Sequence, residues 1–247
     1  MPRKLGQHFL RSDRYLERIR DAACPVQTPL VIEIGAGEGA LTAHLIERAS
    51  RVIAIEIDAT LVSRLMVRFA GDRRVKVVAG DVLATDLTQW GPAVVAGNLP
   101  YYITSPVIER VLALGRLLRY AVFLIQKEVA DRLVAEPGTR DYGFLTVATQ
   151  LSAKTDLLFK VPPGAFSPPP KVESAVVRLT PLDATHDPTP LLAFAGLCFR
   201  HKRKTLRNNL EPFFGKEAVA ALPEAGLRAE QLTLDQFRSL YARVAGR

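Results

Sequence analysis

The segment Val31-Ile-Glu33-Ile-Gly35-Ala-Gly37-Glu-Gly39-Ala40 constrains the fold of this chain more than any other. An apolar run stops at glycine, two more glycines follow at alternate positions, and helical spacing begins at Ala40. Glycines in that place let a strand turn sharply into a helix and let a ligand approach the backbone closely. The next β-branched run, 51–57, ends near Glu56, 21 residues after Gly35. An acid at that position can accept hydrogen bonds from ribose hydroxyls.

The same alternation continues downstream. Residues 30–34, 51–57, 75–79, 93–96 and 120–125 read as short buried strands, and 40–49, 59–70, 105–114 and 127–135 as helices between them. Strand–helix alternation predicts an α/β doubly wound sheet with helices on both faces. The near-continuous apolar strands agree, because both faces of such a sheet are covered. Residues 12–24 form an amphipathic helix ahead of the series, and 144–152 a further helix after it. Residues 156–161 and 174–179 flank a proline-rich connection too short for a helical crossover, which predicts one antiparallel strand pair. A linker rich in Pro, Asp and Thr at 181–190 separates a tail of short helices. The expected organisation is a nucleotide-binding domain over 1–182 and a small all-α domain over 183–247.

Charge suggests the partner. The chain carries a net charge of +8 with a pI near 9.7, which favours a polyanion. Arg200, Lys202, Arg203, Lys204 and Arg207 crowd one segment, and Arg3, Lys4, Arg11 and Arg14 another. Such clusters also occur as solvated faces. No window approaches the roughly 18 unbroken apolar residues that read as a membrane span. The N-terminus lacks the apolar stretch of a secretory signal. Cys24 and Cys198 are isolated, so neither a disulfide framework nor a metal site is expected, and the reading is a reduced cytoplasmic protein.

The glycine loop alone does not choose its ligand. Gly35, Gly37 and Ala40 also fit the dinucleotide fingerprint, so a nicotinamide cofactor remains open on this pattern. Two acids favour S-adenosyl-L-methionine. Glu33 can orient the loop or meet a charged amino-acid end, and Asp81, beside Val82 after the third strand, is placed for an adenine. Both positions resemble those of class I methyltransferases.

Asn98-Leu99-Pro100-Tyr101 follows the fourth strand, at the carboxyl edge where such sheets place ligands. Its residue types suit an adenine amine, whose lone pair is delocalised into the ring. The Asn98 amide oxygen and the Leu99 carbonyl can accept both N–H bonds and favour a nitrogen moving toward tetrahedral geometry. Pro100 fixes the bend, and Tyr101 offers a face on which a flipped base can stack, worth about 1–3 kcal/mol. Phe166, on a proline-stiffened loop, is a candidate for the other face of the base, with a core position as the plain alternative. Tyr102 is expected to pack or to make a secondary contact.

Taken together, these segments resemble the KsgA/RsmA family of 16S rRNA adenine N6,N6-dimethyltransferases. The matching stretches are KLGQHFL at 4–10, EIGAGEGALT at 33–42, IEID at 55–58, GDVL at 80–83, NLPYYITSP at 98–106, QKEVADRL at 126–133, FSPPPKVESAVVRL at 166–179 and FRHKRKTLRNNL at 199–210. The resemblance implies a Rossmann-like class I methyltransferase fold and two dimethylations on adjacent adenosines. The target is a hairpin loop near the 3′ end of 16S rRNA, in an immature small subunit. It places His8 and Leu10 against S-adenosyl-L-methionine, Gly35 along its amino-acid end, Glu56 on its ribose, Asp81 at its adenine and Asn98 at the transfer centre. His8 departs from the asparagine more common in that family. The resemblance also implies that the basic segment 200–207 docks on ribosomal RNA, by phosphate contacts that position rather than specify. A monomer is the default expectation.

Two rivals stand beside this reading. One is a resistance-type adenine methyltransferase acting on 23S rRNA, which shares the cofactor loop and an Asn-x-Pro-aromatic motif. The other is a ribosome assembly factor whose catalysis is secondary.

Overall fold

The computed structural model describes residues 8–182 and 188–245. Its described residues divide into two compact units. The first comprises the residues up to Ala130 together with Lys154–Pro181, and the second Asp131–Ala153 together with the residues from Leu182 onward.

The first unit is built on a seven-stranded sheet. Its strands are β2 (Val31–Ile34), β3 (Val52–Glu56), β4 (Val75–Ala79), β5 (Ala93–Asn98), β6 (Leu118–Gln126), β7 (Ala153–Val161) and β9 (Ser174–Pro181). They lie in the order β4-β3-β2-β5-β6-β9-β7. Strands β4, β3, β2, β5 and β6 are mutually parallel, and β9 runs antiparallel to β6, from Ala121 opposite Leu179 to Gln126 opposite Ser174. This is the doubly wound sheet with an antiparallel strand that the sequence predicts. The strand order reverses between β2 and β5, and a crevice at such a point is where open α/β sheets bind ligands.

Local chemistry explains the flanking helices α1 (Asp13–Ala23), α2 (Ala40–Leu45), α3 (Ala59–Arg68), α4 (Thr104–Leu112) and α5 (Lys127–Leu133). Asp58 caps α3, its Oδ1 accepting from Thr60 N at 2.8 Å and Leu61 N at 3.2 Å, as an N-cap carboxylate should. α1 buries Leu16, Ile19 and Ala23 on one stripe, packed with Val31, Val94 and Val122 of the sheet. Two very short strands complete the unit, β1 (Phe9–Leu10) and β8 (Phe166–Ser167), paired antiparallel.

The second unit is helical: α6 (Phe144–Ser152), α7 (Thr189–Cys198), α8 (Leu206–Phe214), α9 (Lys216–Ala220) and α10 (Leu234–Ala245). The expected contiguous boundary at 182/183 puts 144–152 in the first domain. The structure corrects that assignment. Val147 and Leu151 of α6 share a core with Phe194, Leu206 and Phe237, and the buried Tyr142 donates its hydroxyl to Leu232 O at 2.8 Å. Burial also pushes the Tyr142 phenol up to about 12. An apolar helix face joins whichever core covers it, irrespective of its place along the chain. The linker read at 181–190 falls partly outside the described residues.

Candidate active site

Parallel packing delivers the site residues as a row. Asp81, Glu56, Gly35 and Asn98 sit at the carboxyl ends of β4, β3, β2 and β5, which are neighbours in that order. Adjacent strands are about 4.8 Å apart, so the row spans roughly 14 Å. His8, Leu10, Glu33, Gly35, Gly37, Glu56, Asp81, Val82, Asn98, Leu99, Pro100 and Tyr101 all line one cleft.

The glycine loop is shaped by close approach. Gly35, Gly37 and Gly39 have φ of 71°, 59° and 79°, in the left-handed region that favours glycine. A Cβ on Gly37 would lie 3.2 Å from the Phe9 ring, so the residue is small where β1 closes over it. Glu56 is buried and braces the turn: Oε2 accepts from Gly37 N at 2.8 Å, and Oε1 from Ile57 N and Asp58 N, each at 2.9 Å. An ionised carboxylate offers about four acceptor positions, which leaves one of Oε2 for a ligand hydroxyl. Asp81 is exposed, and its Oδ1 accepts from Leu83 N at 2.9 Å.

Glu33 is 1 % exposed and has Thr42 Oγ1 at 2.5 Å from its Oε2. Burial pushes its carboxyl up to about 8, with the Thr42 hydroxyl opposing that rise. The carboxyl therefore favours its neutral form near pH 7 until a cation comes beside it.

At the other end of the row, Leu99 is buried and donates its N–H to Leu124 O at 3.0 Å, fixing the turn to β6. Asn98 Nδ2 donates to His8 O at 3.0 Å, and among the described residues no hydrogen bond engages Asn98 Oδ1. The Tyr101 hydroxyl lies 3.3 Å from Ser174 Oγ, and its ring stacks on His8 with centroids 6.0 Å apart.

One aromatic expectation needs correction. Phe166 does not line the cleft: it is 6 % exposed, pairs with Leu10 in the β1–β8 ladder, and packs with Leu16 and Val176. A ring committed to that core presents no face to a base in this conformation. Tyr102, expected to pack or to make a secondary contact, is 61 % exposed at the cleft wall, which leaves the secondary contact of those two alternatives.

Sequence reasoning missed Gly97 and Thr42. A Cβ on Gly97 would sit 2.4 Å from Ile34 O, so β2 and β5 approach only because this residue is glycine. An isolated glycine inside an apolar strand was the available signal. Thr42 is fully buried inside α2, a polar residue on a helix face turned to the sheet.

The basic residues Arg200, Lys202, Arg203, Lys204 and Arg207 are all exposed on the second unit. Asn209 holds their turn, accepting from His201 N at 3.1 Å and donating to Cys198 O at 2.9 Å and His201 O at 3.3 Å. The Arg200 guanidinium lies 5.3 Å from the Phe213 ring centroid. Among the described residues there is no cluster of His, Cys, Asp and Glu arranged for a metal, and no helix long and apolar enough to cross a membrane.

A switch-point cleft with a glycine cradle, three strand-end acids and an Asn-Leu-Pro-Tyr turn defines the class I methyltransferases that act on an amine. The sequence model described as "Ribosomal RNA adenine dimethylase" matches residues 1–245, and the chain belongs to that family. It is 42% identical to the "Ribosomal RNA small subunit methyltransferase A" of Acidobacterium capsulatum, covering 99% of this chain and 91% of that one. It is 40% identical to the protein of the same name from Idiomarina loihiensis, over 95% and 84% of the two chains. Among solved structures, a dimethyladenosine transferase from Plasmodium falciparum superposes with a TM-score of 0.82 at 28% identity, over 94% and 96% of the chains. The 23S rRNA methyltransferase ErmE superposes at 0.74 and 28% identity, over 96% and 99%. The chain is a methyltransferase of ribosomal RNA.

Proposed function

We propose that this protein dimethylates N6 of two adjacent adenosines in a hairpin loop near the 3′ end of 16S rRNA, in the immature small subunit, using S-adenosyl-L-methionine. The observation that carries the reading is Asn98, at the end of β5 beside the glycine loop, with Oδ1 unengaged among the described residues. The small-subunit name of relatives at 40–42% identity favours this target over the large-subunit one.

The residues present fit the cofactor. Gly35 and Gly37 line the cleft with no side chain to hold a ligand off, and Glu33, Glu56 and Asp81 supply acceptors for an ammonium, ribose hydroxyls and an adenine amine. Gly35 and Gly37 make room along the amino-acid end, His8 borders it through the backbone of the 8–11 segment rather than through its ring, and Leu10 and Val82 line the cleft around the cofactor. When bound, the cofactor supplies an electrophilic methyl on a sulfonium.

The rest is done by the chain. Asn98 Oδ1 and the Leu99 carbonyl accept from the two N–H bonds of the target amine, drawing its lone pair out of the ring. Pro100 sets the bend of the turn, and Tyr101 receives the face of the unstacked base. The amine becomes acidic only as it gains the methyl, so no side chain need remove a proton beforehand. Positioning then carries most of the acceleration, a term that reaches about 7–11 kcal/mol in favourable cases. Arg200, Lys202, Arg203, Lys204 and Arg207 supply phosphate contacts for docking.

Asn98→Ala tests the assignment. It should cut turnover about 100-fold or more, the scale of one electrostatic contact made in the transition state. Affinity for S-adenosylhomocysteine, read by calorimetry, should stay within a few-fold. Equal loss of both would remove Asn98 from the transfer centre.

A further inference from the structure

Residues 8–11 form a strap along the cleft that is tied down at both ends. At one end, Phe9 lies against Gly37, and Arg11 bonds to Glu38 of the glycine loop. At the other, His8 is held in three ways among the described residues. Its carbonyl accepts from Asn98 Nδ2, its Nδ1 is 2.8 Å from Pro168 O, and its ring stacks on Tyr101 at 28° between planes. Against a carbonyl, which only accepts, Nδ1 must be the protonated nitrogen.

We propose that His8 is a positioning residue that fixes which way round the Asn98 amide sits, and thereby commits Asn98 Oδ1 to the target amine. An asparagine amide presents an acceptor on one side and donors on the other, in two orientations of nearly the same shape. An exocyclic amine offers hydrogens, so only the oxygen-first orientation binds it. The His8 carbonyl takes Nδ2 and leaves Oδ1 to the cleft. The imidazole holds that carbonyl in place, anchored to Pro168 O and resting on Tyr101. A second consequence follows from the strap's other end: loosening it at the glycine loop loosens the amide, so the cofactor loop and the amine acceptor are coupled through four residues. The inference rests on the reading of Asn98 as acceptor for the target amine.

The test is a double-mutant cycle of His8→Ala and Asn98→Ala, read as single-turnover methyl transfer to unmethylated small subunits at saturating cofactor. His8→Ala should lower the rate about five- to tenfold, the scale of one neutral hydrogen bond felt in the transition state. Its affinity for S-adenosylhomocysteine should stay within about twofold. His8→Asn, whose amide keeps a donor for Pro168 O, should recover most of the rate. The double variant should be no slower than Asn98→Ala, because a residue acting through another adds nothing once that other is gone. Losses that multiply, or a loss carried by cofactor affinity, would overturn the proposal. A second readout does not need turnover. In protein labelled with 15N-asparagine, the two Nδ2 protons of Asn98 should exchange at different rates, and His8→Ala should make them alike. An unchanged pair also overturns it. Wild-type protein that methylates no small subunit while showing the two distinct protons would sink the substrate reading and leave the amide's anchoring intact.

Discussion

Replacing Glu33 by glutamine probes the electrostatics of the cleft. Burial lifts the carboxyl from an ordinary 4.5 to about 8, and the Thr42 hydroxyl offsets only part of that cost. Between those two values the unfolded chain has released a proton that the folded protein keeps. The unfolded state therefore binds fewer protons, and stability falls as pH rises through the window. At about 1.4 kcal/mol per unit, the fall amounts to something on the order of 4–5 kcal/mol and is complete above pH 8. Below pH 4.5 both states are protonated and the penalty vanishes. Glutamine has the same shape, keeps an oxygen for Thr42, and does not titrate. Glu33→Gln should thus match the wild type near pH 4.5 and exceed it by several kcal/mol at pH 8.5. Two units need not unfold together, so the probe must be local. Trp90, the only tryptophan, lies in the first unit, and its fluorescence in urea at pH 5, 6.5 and 8.5 reads the relevant transition. With a slope of about 1–3 kcal/mol per molar urea, the midpoints should separate by more than roughly 1 M at the highest pH. Midpoints that run parallel across the window would show that the Glu33 carboxylate is solvated in the native state, and would refute the argument.

Other positions make independent predictions. Gly97→Ala puts a methyl 2.4 Å from Ile34 O, a backbone atom that cannot swing aside. It should cost about 3 kcal/mol, the upper end for overpacking, and lower the melting temperature by roughly 5–10 °C. An unaltered melt would mean that β2 and β5 part freely. Asn209→Ala strands two carbonyls and an N–H around a side chain only 2 % exposed. It should cost about 2–4 kcal/mol in thermal denaturation of the second unit, and a loss under 0.5 kcal/mol would show that water replaces the amide. Neutralising Lys202, Arg203 and Lys204 should weaken RNA binding and flatten the salt dependence by about two to three units of log–log slope. An unchanged slope would make the cluster a solvated face.

Much of this molecule is legible in its sequence, for identifiable reasons. The parallel strands announce themselves because both faces are covered, so 31–34, 52–56 and 93–98 are almost unbroken apolar runs. The glycine loop and its acids are legible because ligands sit at strand ends, and strand ends can be counted. What stays hidden depends on tertiary context. β1 and β8 are two residues each, too short for any periodicity, yet their pairing buries Phe166 and takes it out of the cleft. Helix α6 carries no mark of the core it joins. Gly97 shows in the sequence only as a lone glycine in an apolar run, without the Ile34 carbonyl it makes room for, and Thr42 reads as an ordinary helix residue until Glu33 is found beneath it.

The central claim is the reaction and its target. The direct measurement is methyl transfer from labelled S-adenosyl-L-methionine to small subunits lacking their adenine methylation, with large subunits in parallel. Label on the small subunit alone, recovered as N6,N6-dimethyladenosine from two adjacent positions, is the predicted result. Label on 23S rRNA would contradict the target, and label on neither subunit would contradict the reaction.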